Sequence, residues 1–232
     1  MPHQGPLQWL DGEGWLVLLG GGDLHTGETD AVDAQLLALA NLDRPMVVLI
    51  GDGSPSLADD ILEHYILLGG PGGQAFSLAT MTRDQLQTEA FLSLLEEAGI
   101  LYLGGENPLP LVNNLHGTPA LRAIVQGYST LQGLSIIGVG AGAAALGRWV
   151  LPPVPPYQQT MGFGFLLNAV VAPHFTSTEE TPILRALPQI DGALFGLGIP
   201  DATALVLGPE GQLETWGQGQ ITAVVSANER EE

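Results

Sequence analysis

Ile136-Ile137-Gly138-Val139-Gly140-Ala141-Gly142-Ala143 is an apolar run that breaks into alternating glycines and then into small residues. Such a stretch is predicted to be a buried strand that turns sharply into a helix. In shape it is a nucleophile elbow, in which small neighbours let one central side chain project above a sheet and the next backbone amide serve as an oxyanion donor. In the G-x-nucleophile-x-G spacing the central position is Gly140, so the scaffold is present without a reactive side chain. Taken alone, the segment favours a tightly packed strand–helix junction in an α/β sheet.

Two further glycine turns shift that balance. Gly20-Gly21-Gly22 follows the apolar run Leu16 to Leu19, and Gly104-Gly105-Glu106-Asn107 follows Ile100 to Leu103. In open α/β sheets ligands collect at the carboxyl ends of strands, and glycine lets backbone amides approach them closely. Three such turns therefore point to one functional edge.

Outward from that edge, short apolar runs alternate with helix-period segments, the pattern of a parallel sheet covered by helices. Strands are predicted at Leu16 to Leu19, Met46 to Ile50, Phe76 to Thr80, Ile100 to Leu103 and Ser135 to Val139. Helices are expected from a Thr29 cap to about Asn41, from Leu57 to Leu68, from Thr88 to Ala98, and over Pro108 to Leu115 and Pro119 to Tyr128. Another runs from the elbow to about Trp149. Asp30 and Asp33 suit the first turn of the Thr29 helix, where the positive end of the dipole favours acids. Leu151 to Pro156 holds four prolines and reads as a stiff loop. Beyond it come short strands at Ala169 to Ala172, Leu194 to Leu197, Ala204 to Leu207, Leu213 to Trp216 and Ile221 to Val225, with a helix near Thr181 to Leu187 and a frayed tail from Ser226. The fold class is α/β: a mostly parallel central sheet flanked by helices, with a β-rich C-terminal third. We read the 232 residues as one domain with its core over about 16–225.

Composition removes several chemistries. The chain has 25 acids and 6 bases, a formal charge of −19, and every base is an arginine. Without lysine there is no Schiff base, Ser-Lys dyad or phosphate-loop lysine. Without cysteine there is no disulfide, thiolate nucleophile or Cys-ligated metal. The acidic balance argues against nucleic acid and anionic membrane as partners. Charged residues are only 13% against 45% hydrophobic, which is a globular composition and not an acidic disordered tail. The start carries no basic region followed by an apolar one, and no apolar run is long enough to span a bilayer, so a cytoplasmic location is the expectation.

Order and spacing of several motifs resemble the cyanophycinase and aspartyl dipeptidase family of serine peptidases, which share the class I glutamine amidotransferase-like, flavodoxin-like three-layer fold. The resemblance covers about Leu16 to Val225. It is carried by Leu18-Leu19-Gly20-Gly21-Gly22, Gly104-Gly105-Glu106-Asn107, Gly117-Thr118-Pro119-Ala120-Leu121, the elbow, Gly162-Phe163-Gly164-Phe165-Leu166, His174-Phe175, and Gly196 to Ala204. It implies a serine at the elbow's centre, where this chain has Gly140, and a general base at His174. The family's Gly-Ile-Asp-Glu segment reads Gly198-Ile199-Pro200-Asp201, which leaves Asp201 as the remaining acid. An Arg-Gly-Arg stretch expected after the His-Phe pair is replaced by Thr178-Glu179-Glu180.

These departures lead to the expectation of a relative that has lost the peptidase reaction and keeps its pocket for binding. Gly22, Gly104, Gly105, Glu106, Asn107 and Ala141 are the expected binding residues. The amides of Gly105 and Ala141 suggest a small-molecule or peptide carboxylate as ligand. No cofactor and no metal are expected, although Asp23, His25, Glu28 and Asp30 form an acid–imidazole cluster that reads better as a solvated loop. His64 and His116 fall on expected helices as packing or surface residues. Two alternatives stay open. One is an active amide hydrolase using Ser54 or a water activated by His174. The other is a structural or interaction subunit, with the four tryptophans as core or interface anchors and a homodimer as its assembly.

Overall fold

Residues 5–130, 133–151, 160–176 and 192–226 are described by a computed structural model of the protein. The strands are β1 (Leu16–Leu19), β2 (Met46–Ile50), β3 (Gly73–Ser77), β4 (Ile100–Gly104), β5 (Ser135–Val139), β6 (Gly147–Val150), β7 (Thr160–Met161), β8 (Leu166–Ala172), β9 (Phe195–Gly198), β10 (Thr203–Leu207), β11 (Leu213–Gly217) and β12 (Thr222–Val225). The α-helices are α1 (Asp30–Leu39), α2 (Pro55–Leu67), α3 (Glu89–Glu97), α4 (Pro108–Leu115), α5 (Pro119–Ser129) and α6 (Ala141–Leu146).

The strands form a seven-stranded sheet, ordered β11-β10-β1-β5-β4-β2-β3, and a five-stranded sheet, ordered β12-β9-β8-β6-β7. In the larger sheet β1, β5, β4, β2 and β3 run parallel, while β10 and β11 are antiparallel additions at one side. Every residue of β1, β2 and β4 is buried, as parallel strands covered by helix layers on both faces must be. Val17, Leu19, Val48, Ile50 and Ile137 pack on one side with Leu36 of α1 and Ile61 and Tyr65 of α2. Leu16, Leu18, Leu49, Leu103 and Ile136 pack on the other with α3 to α6 and with Leu166 and Val171 of the smaller sheet. Thus the fold is α/β with mixed sheets flanked by helices, consistent with the flavodoxin-like, class I glutamine amidotransferase-like architecture.

Several elements differ from the sequence expectation. The third strand begins at Gly73 instead of Phe76, and Leu78–Thr80 is a 3-10 turn. Glycine opens β3 because a Cβ there would lie 1.7 Å from the Met46 carbonyl oxygen across the ladder. The helix after the elbow stops at Leu146 instead of reaching Trp149, since Gly147–Val150 pairs with β8. The β-rich C-terminal third does not form one unit: β10 and β11 complete the large sheet, whereas β8, β9 and β12 build the small one. The helix expected near Thr181 to Leu187, the prolines at 152–156, Thr178-Glu179-Glu180 and the tail 227–232 lie outside the described residues.

Thr29 does not cap α1 with its side chain; its hydroxyl is buried with no partner among the described residues. Asp30 and Asp33 both stand in the first turn of α1, as expected, but Asp33 is turned inward. It is buried, accepts a hydrogen bond from the Tyr65 hydroxyl, and sits 3.0 Å from His64 Nε2. That hydrogen bond, with the nearby charges of Asp33 and Asp30, raises the His64 pKa above its ordinary value of 6.5 against the opposing effect of burial. The folded state therefore holds the His64 proton more tightly than the unfolded chain does. Its stabilising contribution is complete below about pH 6.5 and is lost as pH rises through the elevated folded value. A melting series from pH 5.5 to 9 should show this decline in the wild type and a flatter profile in His64→Gln. Identical profiles would refute the linkage.

Candidate functional site

Strand order brings the three glycine turns together, because β5 lies between β1 and β4 and all three run the same way. Their carboxyl ends deliver Gly20-Gly21-Gly22, Gly105 and Gly140 to adjoining positions on one edge. At the centre, Gly140 has φ +54° and ψ −112°, a conformation that side-chain-bearing residues adopt only under strain. Its N–H donates to the Leu19 carbonyl at 3.0 Å and its own carbonyl accepts from Ala144 at 3.1 Å. The turn is tightly constrained: a Cβ on Gly142 would lie 1.9 Å from the Leu103 carbonyl oxygen, so α6 presses directly on the end of β4.

His174 and Asp201 arrive from the other part of the fold. His174 follows β8, and Asp201 sits between β9 and β10. The β1 turn fastens both: the Gly20 carbonyl accepts the His174 N–H and the Gly21 carbonyl accepts the Ala202 N–H, each at 2.9 Å. His174 and Ala202 both have positive φ, 52° and 51°, the only non-glycine residues so placed among those described. His174 Nδ1 lies 2.7 Å from Asp201 Oδ1. A neutral imidazole donating from Nδ1 to that carboxylate carries its lone pair on Nε2. That nitrogen faces the elbow, since a Cβ built on Gly140 would be 3.0 Å from His174 Nε2 and 3.9 Å from the Gly105 carbonyl oxygen. Both side chains remain open to solvent, with 60% of His174 and 55% of Asp201 exposed. The arrangement can take a proton from a hydroxyl or water brought to the space above Gly140.

The glycines divide the work differently from the sequence reading. Gly21 is the one that makes room for the pair: a Cβ there would lie 2.2 Å from His174 Cε1 and 2.5 Å from Asp201 Oδ1. Gly22 instead clears Thr29, and Gly104 clears the ring of Tyr102. The Glu106 N–H donates to Asp52 Oδ1 at 2.7 Å and the Asn107 N–H to Asp52 Oδ2 at 3.1 Å, so those two amides are already engaged. The Asn107 side chain caps α4 by accepting from Leu109 N–H. Ala141, buried, follows the elbow as the first residue of α6. The sequence marks Gly21 only as one of three turn glycines and does not single out Asp52, whose signal is its place in Gly51-Asp52-Gly53, at the end of a buried strand.

The remaining candidates fall elsewhere. Ser54 is the N-cap of α2, its hydroxyl accepting from Leu57 N–H and bonded to Ser56. Asp23 accepts from His25 N–H and Glu28 from Asp23 N–H, which closes a local turn. His116 ends α4 as its C-cap. Among the described residues no three His, Asp or Glu side chains converge as a metal site. No helix among them is long and apolar enough to cross a membrane. A separate depression of about 570 Å³, lined by Glu13, Glu96, Gln126 and Thr130 among others, includes none of the elbow residues.

The model for Peptidase family S51 matches residues 16–213. Two curated proteins named cyanophycinase, from Trichormus variabilis and Nostoc sp., are each 26% identical over 150 residues, covering 61% of this chain and 50% of theirs. The match thus spans about half the length of these curated relatives. Among solved structures, a peptidase from an acI-B1 Actinobacterium superposes with a TM-score of 0.68 at 21% identity, over 94% of this chain and 97% of that one. A putative peptidase E protein from Listeria monocytogenes gives 0.63 at 14% identity, over 89% and 99%. At these identities the structural likeness speaks for the fold.

Proposed function

We propose that this chain, which belongs to Peptidase family S51, has lost the serine nucleophile at Gly140, and with it the peptidase reaction, while keeping the site for binding. The observation that carries the reading is the convergence of His174 on a residue with no side chain. An imidazole oriented by a carboxylate serves to draw a proton from a nucleophile, and Gly140 offers none. The positive φ at Gly140, which a residue with a side chain would adopt only under strain, supports the same reading, because an ordinary strand–helix junction has no need of it.

A small carboxylate or a peptide carboxylate is the proposed ligand. When His174 is protonated, both ring nitrogens donate, and Nε2 can bond an anion above the elbow while Nδ1 stays on Asp201. The net charge of −19 opposes anion approach, but salt screens that repulsion beyond about 8 Å.

The purified protein is expected to show no stoichiometric labelling by a fluorophosphonate probe and no cleavage of aspartyl dipeptides. Acetate or aspartate should raise its melting temperature, and the effect should disappear in His174→Ala. Labelling at any serine would overturn the loss of the nucleophile. Dipeptide turnover abolished by His174→Ala would transfer the reading to hydrolysis by a His174-activated water.

A further inference from the structure

We infer that Asp52 is a positioning residue of this site, holding the Gly105 turn against the elbow from a strand that contributes nothing else to it. The inference rests on the reading of Gly140 as the centre of an elbow. Asp52 follows β2, which lies beyond β4 from β5 and so is one strand removed from the elbow. Its two carboxylate oxygens take separate amides of the same turn, Glu106 at 2.7 Å and Asn107 at 3.1 Å. Bonds from backbone N–H groups to an ionised carboxylate are stronger than neutral ones, and two of them fix orientation as well as distance. The acceptor also stands at the start of α4, where the helix dipole favours a negative charge.

Gly105 is glycine because of this clamp. It has φ +130°, and a Cβ there would lie 2.4 Å from Asp52 Oδ1. The space that a side chain would fill is taken by the carboxylate, so the turn and the acid fit as a pair. The adjoining Gly51 N–H donates to the Gly104 carbonyl at 2.9 Å, which ties the ends of β2 and β4 together just before the turn. The consequence reaches the elbow through Gly105, whose carbonyl oxygen, outside the elbow's own residues, lies next nearest the Gly140 Cβ position after the imidazole of His174, at 3.9 Å. The orientation of the Gly105 peptide thus shapes the space into which His174 points. Asp52 acts on that space through the turn and not by touching a ligand.

Backbone amide spectra of the wild type, Asp52→Asn and Asp52→Ala test this. Asp52→Ala should speed hydrogen exchange at Glu106 and Asn107 by about 100-fold, as for a turn opened locally. It should also move the Gly140 and Ala141 amide signals and the His174 ring signals. Asp52→Asn keeps one acceptor oxygen and should fall between the two. In a Gly140→Ser background, Asp52→Ala should slow fluorophosphonate labelling of position 140 by about tenfold or more, since small displacements of positioning groups have large effects on reactivity. Faster exchange at Glu106 and Asn107 with unchanged Gly140, Ala141 and His174 signals would reduce Asp52 to a loop staple and overturn the inference. If Gly140→Ser takes no label even with Asp52 intact, the reading of Gly140 as a vacated nucleophile fails. The amide and ring shifts still decide the role of Asp52 in that case.

Discussion

Gly140→Ser is expected to convert a protein that takes no fluorophosphonate into one labelled once per chain, at position 140, while lowering its stability by about 1–3 kcal/mol. Both parts follow from the same geometry. The backbone at φ +54° and ψ −112° suits glycine, and a Cβ there meets His174 Nε2 at 3.0 Å. That contact is tighter than side chains normally accept, so the imidazole must retreat by a few tenths of an ångström. His174 is exposed and can do so. The new hydroxyl would then lie within reach of a base whose other nitrogen is held by Asp201, the relation that activates a serine. Gly140→Ala should show the same stability loss without labelling, and Gly140→Ser/His174→Ala should lose the label. Little peptidase activity is expected to return, because the resemblance places an Arg-Gly-Arg stretch where this chain has Thr178-Glu179-Glu180. An unstrained, unlabelled Gly140→Ser would leave only a packing glycine at the junction.

Gly142→Ala should be more damaging to the fold, with a loss of about 3 kcal/mol or more. The added methyl would lie 1.9 Å from the Leu103 carbonyl oxygen and 2.4 Å from its carbon, and backbone cannot step aside as a side chain can. α6 must lift from the sheet, and its buried Ala143, Ala145 and Leu146 move with it. For a chain of this size the loss corresponds to a fall in melting temperature of about 6–12 °C. Gly72→Ala is the matched control, because nothing lies within 4 Å of its Cβ and its φ is not positive. Equal melting temperatures for the two variants would show that the α6 contact is looser than described.

The parts of this fold legible in the sequence are those decided locally. β1, β2 and β5 fall where their apolar runs predict because each is buried on both faces, and burial writes itself into residue type. The elbow was legible because small residues must follow one another there. In the small sheet β8, β9 and β12 fall on expected strands, but β6 does not, since Gly147–Val150 becomes a strand only through pairing with Leu166 and Val170, which no local pattern announces. The particular roles of Gly21 and Asp52 were not legible for a related reason. Three glycines in a row look alike until His174 and Asp201 are seen against the middle one. Asp52 meets its partners 54 and 55 residues further along the chain. His174 itself was found through resemblance, because one histidine before a phenylalanine carries no chemistry of its own.

The interior place of β1 in the large sheet, between β10 and β5, has a consequence for how the chain reaches its native state. Leu16 is paired on one side with Ile136 and on the other with Leu207, so the first strand made is among the last to be enclosed. Pairings across such long stretches of chain are slow to form. During synthesis a four-residue run of Leu and Val waits with both edges open until its partners have emerged, which exposes it to association with other chains. Glycine turns, histidine and aspartate all hang on that strand's completion. The edge that carries the elbow therefore comes into being only after β5 and β10 have both joined β1.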